Sequence, residues 1–358
     1  MPFGGVGHVR GMYLCVSGPI ASRRDIRRKP VKTLNKGVAY IFFISLLGVL
    51  YFTSFSFARD KRQISSTFIQ LSRSHHGWTH QQWEALFDEF ESTRVNELIL
   101  QYGVYNNFAH FPTDDFETTD TPPLETILRI AEVRGVKVLM GLNFDEDYWN
   151  VLWAEDAQLA EFLNESHVKS MLVASQINEI AQHYTSFKGW YISEEFEERT
   201  WNYYNRLDMF IAYLNDLSRD LKRLTPAASI AMSTYIYSPP PAQVYYETMS
   251  QVLANTHITD LYFQDGIGTG HVPQNALLDY ITELKNAAVE NDCYFHIIIE
   301  LFDDGYVSAS IDRVIWQIEV ASQAQPASIC SFATPHYMSQ FGTTGSEALL
   351  YNYLIWLE

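Results

Sequence analysis

The chain has 358 residues, of which 47% are hydrophobic, 15% aromatic and 19% charged, a composition that excludes a disordered chain and allows one large core. Its net charge is −17, and beyond residue 62 it holds 14 basic and 40 acidic residues, a net charge of −26. So acidic a surface repels phosphate backbones and anionic lipid, and the sequence therefore predicts no nucleic-acid partner.

The first 62 residues combine a basic segment with a long apolar run. Residues 1–36 contain eight Lys or Arg against one Asp, and residues 37–58 carry no charge. An apolar run of this length spans a bilayer, which takes roughly 20 residues. The positive charges predict that residues 1–36 stay in the cytoplasm and that the remainder is exported. Localisation is therefore predicted as periplasmic or extracellular.

Residues 37–58 admit three interpretations. Ser56-Phe57-Ala58 satisfies the small-x-small rule for signal cleavage, so the run is the h-region of a cleaved signal peptide or a retained anchor in the inner membrane. A buried core helix is the third alternative. If the run is not cleaved, the membrane becomes a partner of the protein.

Residues 63–358 alternate short apolar runs with segments whose apolar residues recur three and four positions apart, the spacing of amphipathic helices. The predicted strands are Ile64–Leu71, Glu97–Tyr102, Val136–Leu142, Gly189–Glu195, Ser229–Tyr235, Ile258–Gln264, Tyr294–Glu300 and Ala327–Ala333. The predicted helices are Gln81–Ser92, Leu124–Val133, His167–His183, Arg206–Leu224, Ala242–Ala254, Ala276–Val289, Ile311–Ala324 and Ser346–Trp356. Strict alternation predicts a parallel sheet closed into one α/β domain, a (β/α)8 TIM barrel; an open doubly wound sheet is the competing fold.

Two glutamates end the fourth and seventh predicted strands. Because side chains alternate along a strand, Glu195 falls on the face that should point into the barrel, while Glu194 falls on the apolar face that should pack on helices. Glu300 shares its face with the polar His296. Both carboxyl groups are therefore predicted at the mouth of one pocket, as acid-assisted cleavage of a glycosidic bond requires.

Polar and aromatic residues that border the ends of the predicted strands can bind sugars, since aromatic rings stack on sugar C–H faces and amides bind hydroxyls. The candidates for substrate binding are Gln101, Tyr102, Asn143, Trp149, Tyr235, Gln264, Asp265, His336 and Tyr337. Other aromatic residues at such positions are Trp78, Tyr105, Trp153, Trp201 and Tyr237. Asp265 could instead raise the pKa of a neighbouring carboxyl, or cap a helix.

Several short segments, in this order and spacing, resemble a bacterial barrel family known as domain of unknown function 4434. They are Thr67–Gln70, Leu98–Tyr102, Gly141–Asn143, Gly189–Ile192 leading to Glu195, Tyr262–Asp265, Ile299–Phe302 and His336–Met338. The placement of a glutamate at the end of strand four and another at the end of strand seven resembles the pattern of the large clan of retaining glycoside hydrolases. This resemblance implies that Glu195 is the acid/base and Glu300 the nucleophile, roughly 5–5.5 Å apart. Ser193, where the family has Pro, and Gly266, where a small hydroxyl is common, depart from the pattern.

Neither a metal nor a cofactor is predicted. His75 and His76 are adjacent and cannot converge on one ion, and no Asp/His pattern links His271, His296 and His336, although these could meet at a barrel mouth. Cys293 and Cys330 both lie in apolar runs, where they are either buried thiols or a bridge between the last two strands.

The sequence thus predicts an exported barrel that cleaves or processes a cell-envelope or extracellular polysaccharide by a two-carboxylate, retaining mechanism. The alternative is a catalytically silent barrel that binds a polysaccharide during its export or assembly. A binding cleft would need the same aromatic residues as an enzyme, so the aromatic residues do not separate the two.

Overall fold

The computed structural model describes residues 63–203, 205–303 and 305–358. The predicted segments 1–36 and 37–58 lie outside these ranges. Within them, no helix combines the length and the apolar character that a membrane crossing needs.

Eight parallel strands form a closed barrel in which chain neighbours are also spatial neighbours and the first strand pairs with the last. The strands are β1 (Ser66–Ile69), β2 (Glu97–Leu100), β3 (Lys137–Gly141), β4 (Phe187–Glu197), β5 (Ser229–Tyr235), β6 (Asp260–Gln264), β7 (Tyr294–Glu300) and β8 (Ser328–Phe332). The prediction of a closed barrel is confirmed, and the open doubly wound alternative is wrong.

Each strand is followed by one long helix of the outer layer. The helices are α1 (His80–Thr93), α2 (Leu124–Arg134), α3 (Asp156–Ala181), α4 (Arg206–Leu224), α5 (Ala242–Ala254), α6 (Leu277–Glu290), α7 (Ile311–Gln323) and α8 (Ser346–Leu357). Shorter elements occupy the loops: the helices Arg73–Gly77, Asp147–Val151, Glu198–Trp201 and Thr334–Tyr337, and the strands Val104–Tyr105, Phe108–Ala109, Asn143–Phe144, Phe302–Asp303 and Val307–Ser308. The predicted start of α3 at His167 is eleven residues late, since the buried Leu159 and Leu163 continue the apolar face of the helix into its first turns.

The alternation of side chains divides the core into two parts. Tyr191 of β4 and Ile298 of β7 belong to a small cluster inside the barrel, while their neighbours Ile192 and Ile299 belong to the large cluster between strands and helices. The predicted inward faces of both strands are therefore confirmed. Cys330 lies inside the barrel and Cys293 between the layers, both as free thiols, so the alternative of a bridge is wrong.

Strand β4 is longer than predicted and irregular near its end. Its pairing with β5 shifts register between Ile192 and Phe196, after which Phe196 and Glu197 continue the ladder. The predicted end of the strand at Glu195 is thus wrong by two residues. Such irregularities bend a strand and re-aim its side chains, and they are common beside active sites.

Candidate active site

Glu195 projects from the irregular part of β4 toward the axis of the barrel. Its Oε1 accepts hydrogen bonds from Ser233 Oγ at 2.9 Å and from Gln264 Nε2 at 2.7 Å. Burial raises the pKa of Glu195 to about 7; the hydrogen bonds from Ser233 and Gln264 oppose this rise, and the charge of Glu300 adds to it. A carboxyl group with such a pKa can be protonated near neutral pH and can act as a general acid.

Glu300 ends β7 and is held by the loop that follows β6. Its Oε2 accepts a hydrogen bond from the backbone N–H of Thr269 at 2.8 Å. Burial raises the pKa of Glu300, whereas the N–H groups of Thr269 and Gly268 and the charge of Arg313 stabilise its ionised form. Gly268 permits this close approach, since a Cβ there would lie 2.3 Å from the carbonyl oxygen of Phe302 and 3.0 Å from Glu300.

Asp265 lies behind Glu300 and is completely buried. Its Oδ1 accepts the backbone N–H of Glu300 at 3.3 Å and that of Ile267 at 3.2 Å, and its Oδ2 accepts a bond from Gln317. Burial and the neighbouring charge of Glu300 raise the pKa of Asp265 to about 8. Asp265 therefore stands behind Glu300, and any effect of Asp265 on a ligand would pass through Glu300.

The other glutamates near Glu195 are engaged elsewhere. Glu194 points into the helix layer, where Tyr213 Oη donates to it at 2.8 Å. Glu197 accepts the backbone N–H groups of the following short helix, and Glu198 accepts those of Tyr237 and Ser238. Glu195 is therefore the glutamate of this stretch that faces the barrel axis.

Several predicted binding residues surround the two glutamates. Gln264 donates to Glu195, and the charge of Glu195 acts on Tyr102 and Tyr235, whose pKa values are raised first by burial and then by that charge. Tyr337 packs against Phe302 with a ring separation of 5.3 Å. Burial raises the pKa of Tyr337, and the charge of Glu300 adds to this rise.

Other predicted binding residues present polar atoms that have no partner among the described residues. Gln101 Oε1, Asn143 Nδ2 and His336 Nδ1 are buried in this way. Buried polar atoms are nearly always hydrogen-bonded, so an unpartnered atom near a site is available to a ligand. Asn143 lines a side cavity of about 360 Å³ beside the loop that carries Asp145 and Glu146, and Trp149 packs on Phe144 next to it.

The predicted aromatic residues divide into exposed and buried ones. Trp153 and Tyr237 are exposed at the mouth, whereas Trp201 is fully buried and stacks on Phe210 at 4.3 Å. The expectation that Trp201 borders the pocket is therefore wrong, because the short helix after β4 turns its ring into the core. Trp78 packs against Trp83 and Phe341.

His296 does not meet His271 and His336 at the mouth of the barrel. His296 lies near the opposite end of the barrel, where it bonds Asp260 at 3.1 Å and Ser328 at 2.7 Å. Within the described ranges, no group of three His, Cys, Asp or Glu residues has the arrangement of a metal site.

Sequence reasoning missed Ser233, Gly268 and Thr269. Ser233 could have been found, since it precedes Tyr235 by two positions and so shares its face of β5. Gly268 and Thr269 lie in a loop, and no periodic pattern indicates which loop N–H groups approach a carboxylate.

Comparison with known proteins relates this geometry to other barrels. Residues 64–342 match the family described as Domain of unknown function (DUF4434). Uncharacterized protein YbcH of Escherichia coli (strain K12) is 23% identical over 231 residues, which cover 63% of this chain and 71% of YbcH.

Two solved structures have a similar fold. A putative alpha-L-fucosidase from Bacteroides thetaiotaomicron VPI-5482 has a TM-score of 0.69 and 19% identity, covering 82% of this chain and 95% of its own. The endo-beta-1,4-mannanase from Thermotoga petrophila has a TM-score of 0.53 and 10% identity, covering 84% of this chain and 78% of its own. At such identities the likeness concerns the fold. The chain thus belongs to the DUF4434 family and has a barrel of the kind found in glycoside hydrolases.

Proposed function

We propose that this protein is an exported enzyme that hydrolyses glycosidic bonds of a cell-envelope or extracellular polysaccharide with retention of configuration. Glu195 is the acid/base and Glu300 the nucleophile. The observation that carries the proposal is the contrast between the two environments, since burial raises the pKa of both carboxyl groups. Glu195 accepts hydrogen bonds from the neutral side chains of Ser233 and Gln264, whereas Glu300 accepts a backbone N–H of the loop after β6 and lies near the charge of Arg313.

The two environments match the two tasks of a retaining mechanism. In the first step, Glu195 protonates the glycosidic oxygen while a Glu300 oxygen attacks the anomeric carbon, and the alcohol leaves as a glycosyl ester forms. In the second step, Glu195 removes a proton from water, the water oxygen attacks the anomeric carbon, and the Glu300 carboxylate is released.

Two further observations support a glycan as the ligand. Polar atoms without partners, on Gln101, Asn143 and His336, are suited to sugar hydroxyl groups. Barrels of similar fold include a putative alpha-L-fucosidase and an endo-beta-1,4-mannanase. The basic segment before the apolar run supports export, which would bring the acidic barrel to extracytoplasmic glycans.

One observation favours the alternative of a silent polysaccharide-binding barrel that acts in glycan export or assembly. Glu300 is only 4% exposed, and its carboxylate already accepts hydrogen bonds from the loop after β6. A nucleophile must reach the anomeric carbon of the sugar. If the Glu300 carboxylate stays buried and hydrogen-bonded to the loop after β6, it cannot do so, and a bound sugar would not be cleaved.

The experiment that separates the two is a turnover screen of the full-length protein against a panel of neutral and acidic polysaccharides, with new reducing ends as the readout. Wild type should release reducing ends from at least one member. Glu300→Gln should abolish release and retain binding, because the amide has nearly the same shape but cannot attack. Binding without turnover by wild type would establish the silent barrel instead.

The acid/base assignment is tested by the leaving group. Glu195→Gln should slow the natural substrate by about 10²–10⁴-fold, the usual contribution of general acid catalysis. An aryl glycoside with an activated leaving group needs little protonation, so it should recover much of the first step. Equal losses on both substrates would contradict this assignment.

A further inference from the structure

Arg199 occupies an unusual position at the mouth of the barrel. Its guanidinium carbon lies 3.6 Å from the centre of the Tyr237 ring and 4.5 Å from that of Trp153. Two aromatic faces thus hold the planar group in one orientation. Stacking uses the faces of a guanidinium and leaves its N–H groups, which lie in its plane, free for other partners.

Those N–H groups have no carboxylate partner among the described residues. The arginines that form ion pairs with carboxylates are Arg73, Arg134, Arg206, Arg219, Arg223 and Arg313. The acidic neighbours of Arg199 are engaged instead by the backbone: Glu197 accepts the N–H groups of Arg199 and Thr200, and Glu198 accepts that of Tyr237. The charge of Arg199 is therefore available to an external anion.

A cavity of about 380 Å³ adjoins this guanidinium and is lined by Leu152, Trp153, Arg199, Thr200, Tyr203 and Arg206. Thr200 is 4% exposed, and its side chain lies beside Glu197, whose ionised form it stabilises. Arg206 supports the wall by donating to the carbonyl oxygens of Leu152 and Ala154. The cavity thus has at its edge a guanidinium that is held by aromatic rings and forms no ion pair with a described carboxylate.

This cavity lies on the side of the barrel mouth where β4 and β5 end, and the charges of Glu195 and Arg199 both act on Tyr235 there. Arg199 follows Glu195 by four positions, and Tyr237 follows the end of β5 by two. The two strands are paired at this point, with Glu197 opposite Tyr235. A sugar bound at Glu195 could therefore present a substituent, or a neighbouring sugar of the same chain, to Arg199.

We infer that Arg199 forms, at this cavity, a subsite for an anionic substituent of the glycan, a carboxylate or a phosphate, and that the substrate is an acidic polysaccharide. The inference deepens the proposed function and rests on it for the presence of a sugar at the barrel mouth. A guanidinium binds carboxylate and phosphate through two parallel hydrogen bonds, a geometry that a neutral hydroxyl cannot match. Because the body carries a net charge of −26, an acidic glycan would be repelled over most of the surface and needs such a point of attachment.

The test compares three sugars that differ at one carbon, with the full-length protein and ligand-observed NMR titration. Methyl β-D-glucuronide carries a carboxylate, methyl β-D-glucoside 6-phosphate a phosphate, and methyl β-D-glucoside neither. Wild type should bind at least one of the anionic sugars about tenfold more tightly than the neutral one, which corresponds to about 1.4 kcal/mol. Whichever anionic sugar binds more tightly shows whether the subsite prefers a carboxylate or a phosphate.

Two substitutions test whether Arg199 causes the preference for the anionic sugar. Arg199→Gln should reduce the ratio of the two affinities to less than twofold. Arg199→Lys should retain only part of that ratio, because an ammonium group keeps the charge without the planar fork. Arg129→Gln removes one exposed arginine on α2, away from this cavity, and should change nothing. Thermal unfolding of each variant checks that its fold is intact.

The inference is overturned if wild type binds the neutral sugar as tightly as both anionic ones, if it binds none of the three, or if folded Arg199→Gln keeps the preference. Binding is measured at equilibrium and needs no turnover. Failure of the catalytic proposal, which appears as binding without release of reducing ends, is therefore distinguishable from failure of this subsite.

Discussion

Glu194 and Glu195 are adjacent in the chain but meet different surroundings. Glu194 accepts a hydrogen bond from Tyr213 in the helix layer, and Glu195 accepts hydrogen bonds from Ser233 and Gln264 inside the barrel. Burial raises the pKa of both to about 7. A raised pKa alone would not single out the acid; the direction of the side chain, set by strand alternation, does so.

Ser233→Ala tests the environment of Glu195. The hydroxyl of Ser233 donates to the ionised carboxylate and so lowers the pKa of Glu195; removing it should raise that pKa further. A general acid must be protonated, so kcat/KM falls as pH rises through its pKa. The alkaline limb of the pH profile should therefore move to higher pH in Ser233→Ala.

The control for this prediction is Ser238→Ala, an exposed serine of the loop after β5, which should leave the profile unchanged. The profile is measured on whichever polysaccharide wild type cleaves. A limb that stays in place, or moves to lower pH, would mean that Glu195 is not the group that titrates.

Gly268→Ala tests how the loop after β6 holds Glu300. The new Cβ would lie 2.3 Å from the Phe302 carbonyl oxygen and 3.0 Å from Glu300, so the loop or the glutamate must move. Overpacking of this kind costs about 1–3 kcal/mol of the free energy of unfolding, and turnover should fall with it. Gly77→Ala, which meets no atom within 4 Å, is the matched control in chemical denaturation. Equal stability of the two variants would contradict the geometry.

At the scale of elements, the order of strands and helices was predictable and their ends were less so. The apolar runs of β5 and β7 coincide with the observed strands because both faces of those strands are buried. The extension of β4 to Glu197 was not predictable, since it depends on pairing with β5 across the irregular register. Local composition contains no signal for such tertiary pairing.

A charged layer closes the end of the barrel opposite the candidate site. Lys188 lies 2.7 Å from Glu97 and 3.3 Å from Asp260, and Asp260 also bonds His296. Burial tends to raise the pKa of Asp260, but His296 and Lys188 outweigh it and hold that pKa well below its usual value. The stabilisation from Asp260 is therefore present above about pH 4, the unfolded value, and is lost as the pH falls toward its folded value.

Lys188→Met tests this layer. Removing the ammonium group leaves the carboxylates of Glu97 and Asp260 close together with less positive charge to balance their repulsion. The free energy of unfolding should therefore fall by about 3 kcal/mol at neutral pH. Lys137→Met removes an exposed lysine of β3 that bonds the Thr185 carbonyl, and should cost less than about 0.5 kcal/mol. Chemical denaturation measures both. Equal losses would show that the layer contributes no special stability.

For the whole molecule, export is the prediction that connects the barrel to its substrate. A reporter enzyme that folds only outside the cytoplasm, fused after residue 62, should be active, because the basic residues of 1–36 keep the N-terminus inside. The same fusion without residues 37–58 should be inactive. Activity of a cytoplasmic reporter at the same junction would reverse the topology and remove the argument for an extracytoplasmic glycan.

The sequence was sufficient for the barrel and for the direction of Glu195 and Glu300, because alternation and strand order determine which side chains point inward. It was insufficient for the groups that adjust them. Thr269 and Arg199 lie outside regular strands, and their positions depend on how loops fold over the barrel. Trp201 shows the opposite error, since a residue close to a strand end can still turn into the core.

The central claim is that Glu195 and Glu300 form a retaining catalytic pair. The most direct measurement is the anomeric configuration of the first product, followed by ¹H NMR during cleavage of the polysaccharide that wild type turns over. With a retaining pair, the new reducing end initially has the configuration of the cleaved bond, and Glu300→Gln gives no product. A product of inverted configuration, or turnover by Glu300→Gln at the wild-type rate, would contradict it.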